Sequence, residues 1–297
     1  MKNSNIKIIK STGEEEKFDK VKFCKSLKNA GTPTNVAQQV CDIVEADIKP
    51  GVTTSYLFRS ALRQLVKHNI KVASDYNLRK GVAMLGPSGF LFEQYLEVLL
   101  RALGYRTLRN QMMQGKCVDH EIDVLAKKDN LHILVEAKYH NNTGMKTRVD
   151  VVMYAGARLR DIAAYQDKKE LKKNIHKMWL FTNTKFTSKA IKYATCEDIM
   201  LTGWNYPKGN SLHDIIESRA LYPVTVLPSM DAFSREQFAK YDMMLAQDLA
   251  PYSANDLIKK FKITKNKATR ISKEAKALIY GEDISEFHPT EPKEVKK

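Results

Sequence analysis

The sequence predicts an α/β core built on a mixed sheet flanked by helices, with a mainly helical N-terminal region and a helical C-terminal segment. Two observations carry the core. Asp119-His120-Glu121-Ile122-Asp123-Val124-Leu125 and Ile133-Leu134-Val135-Glu136-Ala137-Lys138 are short apolar-rich runs around a polar turn at Lys127–Asn130, the pattern of a β-hairpin. Further on, Met178–Thr182, Thr187–Thr195 and Ile199–Trp204 read as strand, helix and strand. Such a unit implies two parallel strands joined by a right-handed crossover. An antiparallel hairpin joined to parallel strands gives a mixed sheet with helices on both sides.

The elements follow in order. Ile6, Ile8 and Ile9 form a short strand, Thr12-Gly13 a turn and Glu16-Lys17-Phe18 a return strand. Asp19 sits where a helix N-cap belongs, ahead of Val21, Phe23, Cys24 and Leu27 at near-helical spacing. Helices are expected over Asn35–Asp47 and Thr53–His68. Gly86-Pro87-Ser88-Gly89 breaks the chain, and Phe92, Leu96, Leu99, Leu100 and Leu103 make the stripe of the next helix. Glu93 lies at the edge of that stripe, solvated as is common for a Glu or facing the hairpin, while Glu97 is expected in solvent. Thr147–Tyr165 reads as a helix. Pro223 and Pro228 mark a boundary, followed by helices over Ser234–Leu249, Ala254–Phe261 and Lys265–Tyr280. The chain beyond Ile284 is charged and Pro-containing, the composition of a disordered tail. The expected domains are 1–85, 86–225, 226–284 and a tail, 285–297.

With 297 residues the chain exceeds one typical domain, and 43% hydrophobic residues exclude a disordered protein. Lys and Arg number 49 against 34 Asp and Glu, a net charge of +15. So basic a chain is expected to meet a polyanion, nucleic acid first and a membrane surface second. No apolar run approaches the roughly eighteen residues of a membrane span, and the polar start lacks a signal-peptide core, so a cytoplasmic protein is expected. Cys24, Cys41, Cys117 and Cys196 form no CxxC pair, which argues against zinc and against a disulfide framework. Cys117 and His120 alone have a ligand-like spacing.

Alternation along a strand puts Glu136 and Lys138 on one face and Val135 and Ala137 on the other, and gives Glu121, Asp123 and Leu125 a common face. Ionisable groups in apolar strands are costly unless they pair or bind a cation. Two readings stand: a structural salt bridge between Lys138 and a carboxylate, or a site for a hard cation such as Mg²⁺ beside a lysine that orients water or balances charge on a phosphate. From Tyr139 to Lys192 there are 12 Lys or Arg against 4 Asp or Glu, and from Ser253 to Tyr280 there are 8 against 2. Such runs are solvated faces or phosphate-contacting surfaces. No P-loop is present, so a winged or helical DNA-binding head with no nucleotide pocket is the plain reading of the N-terminal region.

At Gly89-Phe90-Leu91-Phe92-Glu93, Glu121-Ile122-Asp123 and Glu136-Ala137-Lys138 the sequence resembles the PD-(D/E)XK nucleases, and more closely the Mrr-type restriction endonuclease domain. Tyr139-His140-Asn141, Ala157–Ile162 and Trp179–Thr184 extend the match over roughly 86–225. The resemblance implies a restriction-endonuclease-like core. In it Asp123, Glu136 and the Ala137 carbonyl hold Mg²⁺ or Mn²⁺, Lys138 positions water or balances charge, and Glu93 supports the site. His140, Arg148, Arg158, Lys168, Lys169, Lys172 and Lys173 become candidates for DNA contacts. The N-terminal residues Ile8-Ile9-Lys10, Gly13, Glu16, Phe18-Asp19, Lys22, Gly51–Ser55, Tyr76 and Arg79 resemble an ATP-cone. That implies ATP or dATP as an allosteric ligand, with Lys10 and Lys22 near phosphates and Glu16 and Thr54 near the base or ribose. Lys259, Lys260 and Lys265 stand around a turn that faintly resembles a helix-hairpin-helix gripping a DNA backbone.

The expected protein is a metal-dependent DNA endonuclease with a nucleotide switch. Its rivals are a non-catalytic nucleotide-responsive DNA regulator and a nuclease for branched DNA or RNA. Cutting both strands favours a homodimer, because one site cuts one strand at a time. The family's association with restriction suggests defence against foreign DNA.

Overall fold

A computed structural model describes residues 6–10, 12–86, 89–168 and 177–282, and they divide into two units. The first unit takes in described residues of 1–79, 226–230 and 249–297. It opens with β1 (Lys7–Ile9) and β2 (Glu15–Lys17), antiparallel with Ile8 opposite Glu16. Gly13 turns the hairpin at φ 87°, a conformation glycine adopts without steric cost. α1 (Lys20–Asn29) starts at Asp19, whose carboxylate accepts the Lys22 N–H. α2 (Thr34–Asp47) and α3 (Thr54–His68) follow, the latter capped by the Thr53 hydroxyl. α4 (Ile70–Ala83) lay outside the sequence expectation. Contrary to the cysteine reading, Cys24 on α1 and Cys41 on α2 are disulfide-bonded. Each lies on the buried stripe of its helix, and packing of the two stripes, rather than sequence spacing, brings them together.

The second unit comprises residues 80–225 and 231–248. α5 (Phe90–Ala102) buries Phe92, Leu96, Leu99 and Leu100 as the stripe requires. β3 (Arg106–Gln114), β4 (Asp119–Lys128) and β5 (Leu131–Lys138) form an antiparallel meander. β6 (Lys146–Thr147) precedes α6 (Val149–Lys168), then β7 (Lys177–Thr182), β8 (Lys185–Phe186), α7 (Ser188–Cys196) and β9 (Met200–Thr202). The sheet order is β3-β4-β5-β7-β9, with β5, β7 and β9 parallel, the expected mixed sheet; β6 and β8 pair separately. Ile122, Leu134, Leu180 and Ile162 share one buried cluster.

Four further differences stand out in this unit. β3 was not expected, because Arg106-Thr-Leu-Arg-Asn-Gln-Met-Met-Gln114 is polar on both faces, as an edge strand can be. β3 in turn corrects Glu97, which is 8% exposed and paired with Arg109 Nε at 2.6 Å. After α8 (Leu212–Ser218), also unexpected, the helix expected over 234–249 splits into α9 (Ala232–Ala239) and α10 (Ala246–Leu249). Asp242 at φ 55° breaks it, and its carboxylate bonds Gln94 and Arg109.

The first unit is completed by α11 (Ala254–Phe261) and α12 (Lys265–Tyr280), both as expected, joined through Lys262 at φ 55°. Ala277 of α12 is buried in the same cluster as Leu27, Val44 and Leu65. The C-terminal helix pair therefore shares a core with the N-terminal helices. The tail beyond residue 282, like Lys169, Lys172, Lys173 and the Lys168 side chain, lies outside the described residues.

Glu274 of α12 is 1% exposed and accepts from the Ser229 N–H and hydroxyl at 3.0 and 2.7 Å. Burial raises its carboxyl to about 7 against the Ser229 bonds. The folded form therefore keeps a proton that the unfolded chain loses above 4.5, so this contribution to stability is full below 4.5 and is lost as pH rises to about 7. The loss is on the order of 3 kcal/mol. Calorimetric melts should show a fall in Tm between pH 5 and 8 that is shallower in Glu274→Gln; an equal fall in both proteins would assign it elsewhere.

Candidate active site

The β4–β5 ladder runs from Lys128↔Leu131 to Val124↔Val135 and stops there. Beyond it β4 stays with β3 as far as Gln114↔Asp119, and β5 stays with β7 as far as Lys138↔Thr182. The sheet thus forks at Asp123 and Glu136. At the fork the Asp123 carboxylate replaces a backbone acceptor, taking the Ala137 N–H at 2.7 Å. On its other side the β3–β4 register skips Asp123 and Asn110, and Asn110 sits at φ 52°. Asn tolerates that left-handed backbone better than most residues.

Glu93 enters this field from α5. Burial, then the charges of Asp123 and Glu121, raise its carboxyl to about 7, with Arg109 opposing. Burial and Asp123 likewise raise Glu136 to about 7, against Arg158 and Lys138. Asp123 is raised by burial, with the Ala137 N–H and Arg158 in opposition. The fork is a set of carboxylates withdrawn from water, with Arg158 and Lys138 as the cations that act on Asp123 and Glu136.

Lys138, two residues beyond Glu136 on the same strand, borders the fork, and the next residues fasten it down. Tyr139 Oη donates to the Ala83 carbonyl at 2.5 Å and lies so close to Gly86 that a Cβ there would sit 2.5 Å from it. His140 exchanges backbone bonds with the Asn183 amide at 2.8 and 2.9 Å. Its Nε2 lies 2.9 Å from Thr147 Oγ1, whose hydroxyl bonds Thr182 Oγ1 at 3.1 Å. Burial and Lys138 lower the imidazole from its ordinary value, keeping it neutral at pH 7.

Arg158, expected only as a phosphate contact, reaches into the fork. Its Nη1 pairs with Glu136 Oε2 at 2.5 Å and its guanidinium lies 4.6 Å from the Tyr154 ring centroid. Sequence reasoning did not assign Tyr154, Thr147 or Asn183 a role. The available signals were the i, i+4 spacing of Tyr154 and Arg158 and the polar Thr182-Asn183-Thr184 closing a buried strand. Arg148 remains exposed at 76%, beside Asp150. Lys259, Lys260 and Lys265 are exposed on α11 and α12 of the first unit, with Lys260 Nζ 2.7 Å from Tyr252 Oη.

In the first unit, Lys10 and Lys22 converge on Glu16 at 3.3 and 3.7 Å. Glu16 and Glu14 raise the Lys10 amine. The Ile9 N–H bonds Val52 O at 2.9 Å and Ile9 bridges Thr53, which sets the start of α3, with Thr54, beside β1.

Among the described residues no group of three or more His, Cys, Asp or Glu side chains is gathered closely enough to hold a metal ion. The oxygen donors at the fork are the carboxylates of Asp123 and Glu136, with the backbone of Ala137 beside them. Hard carboxylate donors partly withdrawn from water fit Mg²⁺, which keeps several of its waters.

A mixed sheet forked at two carboxylates, followed by a lysine on the same strand, defines a restriction-endonuclease-like nuclease core, and residues 86–203 match the restriction endonuclease family Mrr_cat. Residues 222–279 match the C-terminal family of AF1548-like proteins. An uncharacterized protein of Archaeoglobus fulgidus is 34% identical over 184 residues, 61% of this chain and 98% of its own. The crystal structure of AF1548, a protein of unknown function, superposes with a TM-score of 0.55 at 32% identity, covering 65% of this chain and 99% of that one. The chain belongs to the AF1548-like family, and its residues 86–203 form a restriction-endonuclease-like domain. Among the described residues no helix is long and apolar enough to cross a membrane.

Proposed function

We propose that the protein is a Mg²⁺-dependent DNA endonuclease, with Mn²⁺ able to substitute, and that ATP or dATP at the N-terminal unit regulates it. The observation that carries this reading is the fork, where Asp123 and Glu136 stand withdrawn from water, with Glu93 in the same field. Asp123, Glu136 and the Ala137 carbonyl would hold the cation. When bound, it stabilises charge on the scissile phosphate and favours ionisation of the attacking water.

The chain's own groups do the rest. Lys138, at the border of the fork, orients the water or balances charge growing on the phosphate. Glu93 holds a proton near neutrality and supports the water side of the site. The neutral, doubly anchored His140 fixes the strand end that carries Lys138. Arg148 supplies a phosphate contact that offsets repulsion between DNA and the carboxylates, and Lys259, Lys260 and Lys265 of the first unit are candidates for phosphate contacts of their own. Cutting both strands takes two copies, and the restriction lineage supports a defensive role.

The nucleotide arm of the reading is supported by Lys10 and Lys22 gathered on Glu16 beside the α3 N-terminus, where helix N–H groups favour an anion. Plasmid nicking and linearisation in Mg²⁺ against EDTA, with and without ATP or dATP, tests both arms. Cutting is expected in Mg²⁺ alone, abolished by EDTA and altered by one nucleotide. Wild-type protein that binds DNA yet cuts no methylated, unmethylated, branched or single-stranded substrate would instead support a non-catalytic regulator.

A further inference from the structure

This inference rests on the metal site proposed above and concerns Arg158. Its guanidinium has three occupations: Nη1 on Glu136 at 2.5 Å, Nη2 on Tyr154 Oη at 3.3 Å, and its face over the Tyr154 ring. Nε is buried and makes no hydrogen bond. Both partners of the ion pair are withdrawn from water, at 14% and 17% exposure, so water screens the attraction little. Arg158 is thus a tethered counter-ion on one of the two carboxylates that a cation would need. One carboxylate cannot give its full charge to both, and an arginine cannot release its own by losing a proton.

We propose that Arg158 and the divalent cation compete for Glu136. In the metal-free protein Arg158 neutralises this carboxylate and keeps the fork from repelling itself. Binding of the cation turns the guanidinium away, or shares the carboxylate at a cost in affinity. The resting site is thereby biased against metal. A side chain with a purely supporting role would do the reverse, because removing it would loosen Glu136 and weaken metal binding.

The test uses the full chain stripped of metal by chelation, with Mn²⁺ alone at pH 8 as the probe and free Mn²⁺ read by electron paramagnetic resonance. Asp123→Asn should abolish the site's binding. Arg158→Gln should bind Mn²⁺ about tenfold more tightly than wild type, a difference of about 1.4 kcal/mol. Tyr154→Phe, which keeps the ring but removes one anchor of Arg158, should tighten binding by about two- to threefold and leaves the test intact if Arg158→Gln fails to fold. Equal or weaker binding in these variants, with Asp123→Asn still null, overturns the competition and leaves the metal site standing. Wild-type Mn²⁺ binding indifferent to Asp123→Asn removes the metal site itself, and the inference with it.

Discussion

Asp123→Asn is expected to lower the rate of DNA cleavage at least about 10³-fold while leaving the fold intact, because a cation's stabilisation of the transition state amounts to several kcal/mol and each 1.4 kcal/mol is tenfold. The Asn oxygen can still accept the Ala137 N–H that Asp123 takes at 2.7 Å, so the join between β4 and β5 survives. The substitution also removes one of the charges that raise Glu136 and Glu93. Its melting temperature should therefore match or exceed that of wild type at pH 8, a gain in stability with a loss of activity that marks a functional site. Glu136→Gln should be as inactive but less stable, since it leaves the buried Arg158 without its carboxylate. Lys138→Ala should cost roughly 10²-fold, in the range of a lost donor to developing charge. Initial rates of plasmid nicking beside calorimetric melts make the comparison. Wild-type cutting by Asp123→Asn would remove the fork from the chemistry.

Cleavage should rise steeply with pH up to about 7 and level off above it. Glu136 and Glu93 both stand near 7, raised first by burial and then by neighbouring carboxylates. A ligand carboxylate must be ionised to bind a cation, so below 7 each pH step removes about tenfold of the competent form, roughly 100-fold between pH 5 and 7. Stability runs the other way. These folded values lie above the ordinary 4.5 of a glutamate, so the site's contribution to stability is full below 4.5 and declines as pH approaches 7. The site is held most firmly where it is least able to bind metal. The measurement is kcat/KM for a fluorogenic duplex at a fixed Mg²⁺ concentration well below saturation, where protons and cation still compete for Glu136, from pH 5 to 8.5, in wild type and Glu93→Gln. A profile flat across that range would mean that neither carboxyl governs the reaction.

The periodicities that run along a single element were legible in the chain. The alternation of 119–138 specified a hairpin, the α5 stripe specified Glu93 at its edge, and α11 and α12 were bounded as expected, because local patterns of apolar and capping residues determine such elements. The residues Asp123, Glu136 and Lys138 were singled out for a related reason, charge being conspicuous inside an apolar strand. What the sequence could not disclose depends on partners distant along the chain. β3 is polar on both faces and becomes a strand because β4 offers it an edge. Once there, its Arg109 draws Glu97 out of the solvent in which the stripe alone would leave it.

The same holds for Cys24 and Cys41, whose pairing follows from the packing of α1 on α2, and for α12, whose Ala277 enters a core begun at Ile8. It holds most of all for Arg158. By sequence it was one cation in a basic run; by structure it is the counter-ion of Glu136, 22 residues away. Sequence by itself singled out the side chains proposed to carry the chemistry and the elements that bear them. Only tertiary structure decided their neighbours, and with them their charge state, because burial and the approach of distant charges are properties of the packed chain.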